Sequence, residues 1–191
     1  NKGGGNYYTL DELRPIRNYT KEKNLKLHLD GARLFNVLVE TGETTLEVGS
    51  QFDSISICLS KGLGTPVGSV LTGDRSFIAR ARKVRKVMGG GMRQAGYLAA
   101  AGIYALDHHV NDLARDNANA KAISEVLARL EVVDFLLPVK TNIIIFFLKD
   151  PHTAESFLYK LKEKNIIASP FGKMAIRFVF HRDITDGMME E

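Results

Sequence analysis

The stretch Asp53 to Gly68, DSISICLSKGLGTPVG, constrains this chain more than any other. Ile55 and Ile57 alternate with Ser54, Ser56 and Cys58, the two-residue period of a strand. Ser60 and Lys61 fall where the alternation stops. Gly62, Gly64, Pro66 and Gly68 then exclude regular structure over the next residues. A lysine is thereby set at the lip of a sheet, ahead of a loop in which other groups can come close. In open α/β sheets ligands bind at that lip. Partial burial there would lower the pKa of the lysine and free its nitrogen as a nucleophile able to form a Schiff base. A surface lysine at a strand end accounts for this stretch equally well.

A second strand ends in the same manner. Leu25, Leu27 and Leu29 alternate with Lys26, His28 and Asp30, and Gly31 then permits a tight turn into a helix beginning at Ala32-Arg33-Leu34-Phe35. On its own, Asp30 also reads as a helix cap with a salt bridge. His28, on the same side as Asp30, reads as a core histidine in preference to a supporting partner of the site. If the two strands are parallel and adjacent, Asp30 and Lys61 point into one cleft. A lysine amine with a buried carboxylate is the pair that pyridoxal phosphate chemistry uses.

The remaining pattern alternates strands and helices. Thr9, with Glu12 three residues on, is a capping box for a helix to about Lys23. Gly3 to Gly5 form a flexible loop without a Walker pattern behind it. Thr44 to Val48 is a short helix, Gly68 to Thr72 a third strand, and Phe77 to Val87 a helix capped by Asp74 or Ser76. Gly89-Gly90-Gly91 ends that helix. A helix rich in Ala and Gly follows from Met92 to Leu106, suited to close packing against a sheet or a second chain. A long helix from Val110 to Leu130 leads to strands at Phe135–Leu137, Thr141–Leu148, Ile166–Ser169 and Met174–His181, with an amphipathic helix opened by Pro151 and Thr153. The expected class is α/β: the C-terminal part of a large domain over 1–108, then a small α+β domain over 109–191. The linker falls near His108 to Asp112.

Composition narrows the function classes. The net charge of +4 over 191 residues is too small to argue for nucleic acid without a concentrated patch. The densest basic run, Arg80, Arg82, Lys83, Arg85, Lys86 and then Arg93, alternates with apolar residues and reads as the solvated face of a helix, with an anion site as the alternative. Cys58 is the single cysteine, which excludes an internal disulfide and a cysteine metal cluster and fits a reducing, cytoplasmic setting. No metal site is expected. The longest apolar run, Asn142 to Leu148, is a strand by length and not a membrane span. Asn1-Lys2-Gly3-Gly4-Gly5 lacks an initiator methionine and reads as the interior of a longer chain.

Three segments, LHLDGARLFN around Asp30, SICLSKGLGTPVGS around Lys61 and RKVRKVMGGGMRQAG from Arg82, resemble the low-specificity L-threonine aldolases, in the β-eliminating lyase group of fold-type I pyridoxal phosphate enzymes. The resemblance covers most of the chain. It implies a fold-type I large domain and pyridoxal 5'-phosphate as cofactor. It implies that Lys61 carries the cofactor, that Asp30 pairs with its pyridine nitrogen, and that Arg33 of the DGAR motif lies beside its ring. Ser60 and Arg93 are implied as further cofactor contacts. Arg177, in AIRFVFH, is implied to hold the substrate carboxylate, with Lys86 nearby; by itself Arg177 also reads as a strand arginine in an ion pair. The implied reaction is retro-aldol cleavage of a β-hydroxy-α-amino acid, L-threonine or L-allo-threonine, to glycine and acetaldehyde. The implied assembly is a homo-oligomer without nucleic-acid or membrane partners. Two other readings stand beside this one: a fragment that keeps the scaffold without activity, because family chains carry further cofactor contacts before the position of Asn1, and another fold-type I amino-acid lyase, against which the GGGMRQAG stretch speaks.

Overall fold

The computed structural model describes residues 3–190. The chain forms two compact units, Tyr8–Asn111 and a second that joins Asn1–Tyr7 to Asp112–Glu191.

The first unit opens with α1, Leu10–Glu22. Thr9 Oγ1 accepts from the Glu12 N–H, and the Glu12 carboxylate accepts from the Thr9 N–H, the reciprocal box expected from the sequence. The strands are β1 (His28–Asp30), β2 (Ser54–Cys58) and β3 (Ser69–Gly73), in the order β1-β2-β3. β1 and β2 are parallel, with Asp30 opposite Ser56; β2 and β3 are antiparallel. Helices α2 (Leu34–Thr41) and α3 (Thr45–Gly49) bury Leu34, Leu38 and Val48 against Ile55, with Leu10, Leu29 and Phe52 packed around them. Helices α4 (Arg75–Val87), capped by Asp74, and α5 (Gly96–His108) complete the unit.

β1 is half the length expected. The Leu25 N–H turns back to Thr20 O, and the Leu27 N–H is taken by the Asp53 carboxylate, so the ladder begins only at His28. His28 is not a core residue. It is exposed, its Nδ1 lying 2.8 Å from Ser54 Oγ on the neighbouring strand. α5 starts at Gly96 and not at Met92, because the chain leaves α4 through backbone bonds from Gly89 to Lys86 O and Gly90 to Arg85 O, with Gly89 at a positive φ.

The second unit is an antiparallel sheet, β4 (Val133–Leu136), β5 (Ile143–Leu148) and β6 (Ala175–Val179), in that order, with helices α6 (Leu113–Leu127), α7 (Ala154–Glu163) and α8 (Asp186–Glu190). Its core gathers Ala120, Leu127, Ile144, Phe146, Leu148, Ile176 and Phe180. β5 is buried on both faces, so it reads as an unbroken apolar run instead of alternating. Ile144 and Phe146 face this core, while Gly4 and Gly5 lie against Ile145 and Ile143 on the other side. Gly3–Gly5 is therefore not the free loop expected. Gly4 and Gly5 are buried at positive φ, and Thr141 Oγ1 donates to Gly5 O at 2.8 Å. The strand expected at Ile166–Ser169 does not form. Asn165 turns at φ 62 so that the Ile166 N–H caps Leu161 O, Ile167 is 87% exposed, and only Pro170 bridges to Ile176. Among the described residues no helix is long and apolar enough to cross a membrane.

Candidate active site

Because β1 and β2 run parallel with Asp30 beside Ser56, Asp30 and Lys61 both emerge from the carboxyl edge of the same two strands. Gly31 makes the exit from β1 tight. Its N–H donates to Ser56 O at 2.8 Å, and a Cβ there would sit 3.0 Å from that same oxygen. Asp30 Oδ1 accepts from the Ala32 N–H at 3.3 Å, closing a side-chain turn. The N-cap of α2 is the half-buried Arg33, so Asp30 is not that helix's cap.

Just past β2 the Leu59 N–H donates to Gly68 O, and the Thr65 N–H to Leu59 O. The loop between them is thus closed on itself. Within it the Gly64 N–H donates to Lys61 O at 2.8 Å, with Gly64 at φ 73. Leu59 and Leu63 point inward and are buried; Ser60 and Lys61 point outward and are exposed. Asp30 is exposed as well. The burial on which the lysine argument rested, and the buried carboxylate paired with it, are therefore not found: the sheet edge that carries both groups is open to solvent.

The other residues singled out belong to other elements. Lys86 is exposed on the last turn of α4, and Arg93 is exposed in the α4–α5 connection. Arg177 belongs to the second unit. It sits on β6 opposite Ile145, half-buried, with its guanidinium 5.6 Å from the centre of the Phe171 ring. That contact is a ring face and not the ion pair considered from sequence.

Two features of the first unit had no sequence signal. Asp53, counted as the first residue of a strand, is an electrostatic clamp. Arg17 from α1 reaches its carboxylate at 2.6 Å, the Leu27 N–H at 2.9 Å and Lys26 at 3.3 Å. The Arg17 guanidinium and the Leu27 N–H hold the Asp53 carboxyl well below the usual carboxylate range. The second is His109, whose ring reaches back 46 residues to Leu63 O. A cavity of about 410 Å³, lined by Phe35, Phe52, Ile55, Ile57, Gly73 and Asp74, lies toward the amino end of β2, away from Lys61.

The architecture is that of the fold-type I pyridoxal phosphate enzymes. A crystal structure from Exiguobacterium sp. 255-15, described as an aromatic amino acid beta-eliminating lyase/threonine aldolase, superposes with a TM-score of 0.83 at 25% identity, over 98% of this chain and 56% of that one. The ornithine aminotransferase of Toxoplasma gondii shares the fold at a TM-score of 0.69 and 17% identity, over 99% of this chain and 46% of its own. The family described as Beta-eliminating lyase matches residues 1–151, and the chain belongs to it. The low specificity L-threonine aldolase of Escherichia coli (strain K12) is 41% identical over 193 residues, covering all of this chain and 56% of that protein. The chain spans about half the length of the curated relatives it matches.

Proposed function

We propose that this chain is part of a pyridoxal phosphate-dependent aldolase that cleaves L-threonine or L-allo-threonine to glycine and acetaldehyde. The observation that carries the reading is the parallel register of β1 and β2, which brings one carboxylate and one amine to the same sheet edge. That donor set fits the cofactor: an amine for its aldehyde, and an acceptor for the proton on its ring nitrogen. Family membership and the 41% identity to the E. coli enzyme support the substrate class.

When bound, pyridoxal phosphate supplies a conjugated ring that withdraws the electron pair of a bond broken at the substrate Cα. Lys61 would hold the cofactor through its Nζ and give way to the substrate amine. Asp30 would keep the proton on the ring nitrogen. Arg33, three residues on, would lie beside the ring, and Ser60 and Arg93 would meet the phosphate. Arg177 would grip the substrate carboxylate with its planar fork, supported by Lys86. That grip orients the Cα–Cβ bond for cleavage. The β-hydroxyl then loses its proton, acetaldehyde departs, and Cα takes up a proton to give glycine. On this reading the protein is a cytoplasmic homo-oligomer without nucleic-acid or membrane partners. The exposed Tyr97, Ile103 and Tyr104 of α5 support a covering second subunit.

The exposure of Lys61 and Asp30 favours a second reading, in which this chain alone keeps the scaffold but does not hold the cofactor. One experiment separates the two. The chain is mixed with pyridoxal phosphate, treated with borohydride and digested, and acetaldehyde release from L-threonine is followed in parallel. A fixed adduct on the Lys61 peptide, absent in Lys61→Ala, together with acetaldehyde release, supports the aldolase. An adduct without acetaldehyde points to another amino-acid lyase, and no adduct on folded protein supports the scaffold reading.

A further inference from the structure

Lys61 stands midway between two buried leucines, Leu59 and Leu63, and α5 holds both. Gly102 of α5 lies so close to Leu59 that a Cβ there would be 3.0 Å from its Cδ1. At the end of the same helix, His109 Nδ1 lies 2.7 Å from Leu63 O. A carbonyl oxygen only accepts, so Nδ1 carries the proton and donates. The His109 backbone is itself fixed, because its N–H donates to Ala105 O as the C-cap of α5. The Tyr104 ring stands edge-on to the imidazole at 5.3 Å. Leu63 is 3% exposed and His109 is half-buried, so the bond between them is partly shielded from solvent. Leu63 is also the third residue of the Lys61–Gly64 turn, whose own bond runs from the Gly64 N–H to Lys61 O. Whatever fixes the Leu63 peptide therefore fixes the backbone from which the Lys61 side chain departs.

We propose that His109 is a positioning residue for Lys61, its Nδ1–H bond to Leu63 O locking the turn that presents the amine. The chemical consequence, faster capture of the pyridoxal phosphate aldehyde, rests on the reading of Lys61 as the cofactor lysine; the locking of the turn does not.

The test uses the 191-residue chain as wild type, His109→Leu and His109→Asn. Leucine fills space without a donor, and the asparagine amide offers a donor near the place of Nδ1. Amide hydrogen exchange at Gly64 and Thr65 reports the turn, and the β5 amides serve as an internal control. Losing one net hydrogen bond predicts about tenfold faster exchange at Gly64 and Thr65 in His109→Leu, with β5 unchanged and protection recovered in His109→Asn. The rate of borohydride-fixed adduct formation at Lys61 is expected to fall and recover in the same order. Unchanged protection in His109→Leu, or equal loss in His109→Asn, overturns the proposal. Nitrogen NMR of the wild type is a second arm that needs no variant to fold: an unprotonated Nδ1 overturns the proposal outright. A wild type that forms no adduct but shows the full exchange pattern overturns the reading that this chain by itself holds the cofactor on Lys61, and leaves the lock standing.

Discussion

Asp116→Asn tests whether the second unit carries a carboxylate it would hold more easily without charge. Asp116 lies on α6, 2% exposed, and among the described residues its buried Oδ2 has no hydrogen-bond partner. Burial pushes its pKa from 3.8 up to about 6. Arg115, His181 and Arg182 pull it down by less, and Asp112 adds to the rise. The folded unit therefore binds this proton more tightly than the unfolded chain does. The sign follows from linkage. The contribution is complete below about pH 4, is lost as pH climbs toward 6, and is flat above that. Each tenfold in proton affinity is worth about 1.4 kcal/mol, so the interval of about two decades sets a ceiling of roughly 3 kcal/mol at neutral pH. Asparagine removes the charge and keeps the shape, but its two amide hydrogens then need acceptors, which returns about 1 kcal/mol. The expected result is a gain of about 1–2 kcal/mol at pH 7.5 and a flatter stability profile between pH 4 and 6. Urea unfolding at pH 4.5 and 7.5, read through hydrogen exchange of the β5 amides so that the signal belongs to this unit, gives both quantities. If Asp116→Asn is instead less stable than wild type at pH 7.5 by 1 kcal/mol or more, the carboxylate is a working partner of Arg182 or Arg115, and the argument from burial is wrong.

Two further substitutions probe the long-range contacts. Asp53→Asn keeps the acceptor for the Leu27 N–H but removes the charge that holds Arg17 and Lys26. A cost of about 1–2 kcal/mol at pH 7 is expected by chemical denaturation. Because the folded pKa of Asp53 is depressed, its contribution is present above about pH 4 and fades on further acidification, so the variant should lose the wild type's extra sensitivity in that range. Gly5→Ala places a Cβ against Thr141 Oγ1 and 3.1 Å from Ile143 Cβ, at a φ of 74 that alanine resists. Breaking the Thr141–Gly5 bond as well, it should cost about 2 kcal/mol and expose the β5 amides to exchange. A silent Gly5→Ala would mean that the glycine segment does not seal that face of β5.

What the sequence determined by itself was local. A capping box acts across three residues, and Thr9 with Glu12 starts α1 where the pattern placed it. Alternation acts across neighbours, so β2 and the glycine-rich loop after Lys61 were legible, as were the caps of α4 and α7 at Asp74 and Thr153. The three motifs carried family membership because residue types in fixed order survive without coordinates. Tertiary structure decided what depends on groups far apart in the chain. β1 and β2 became parallel neighbours only through hydrogen bonds between residues 26 apart, and without that register Asp30 and Lys61 share nothing. β5 was legible as a strand, but that Gly4 and Gly5 cover one face of it is a contact across some 140 residues. Asp53 as a clamp, His28 as a surface residue and His109 as the lock on Leu63 leave no periodic trace, since each rests on one side chain meeting one distant partner. Ile166 and Ile167 look like a strand by propensity, yet a left-handed turn at Asn165 spends the first backbone donor on capping α7. A hydrogen bond is made where geometry brings its partners within 3 Å, and a single sequence records that geometry only when the partners are also neighbours along the chain.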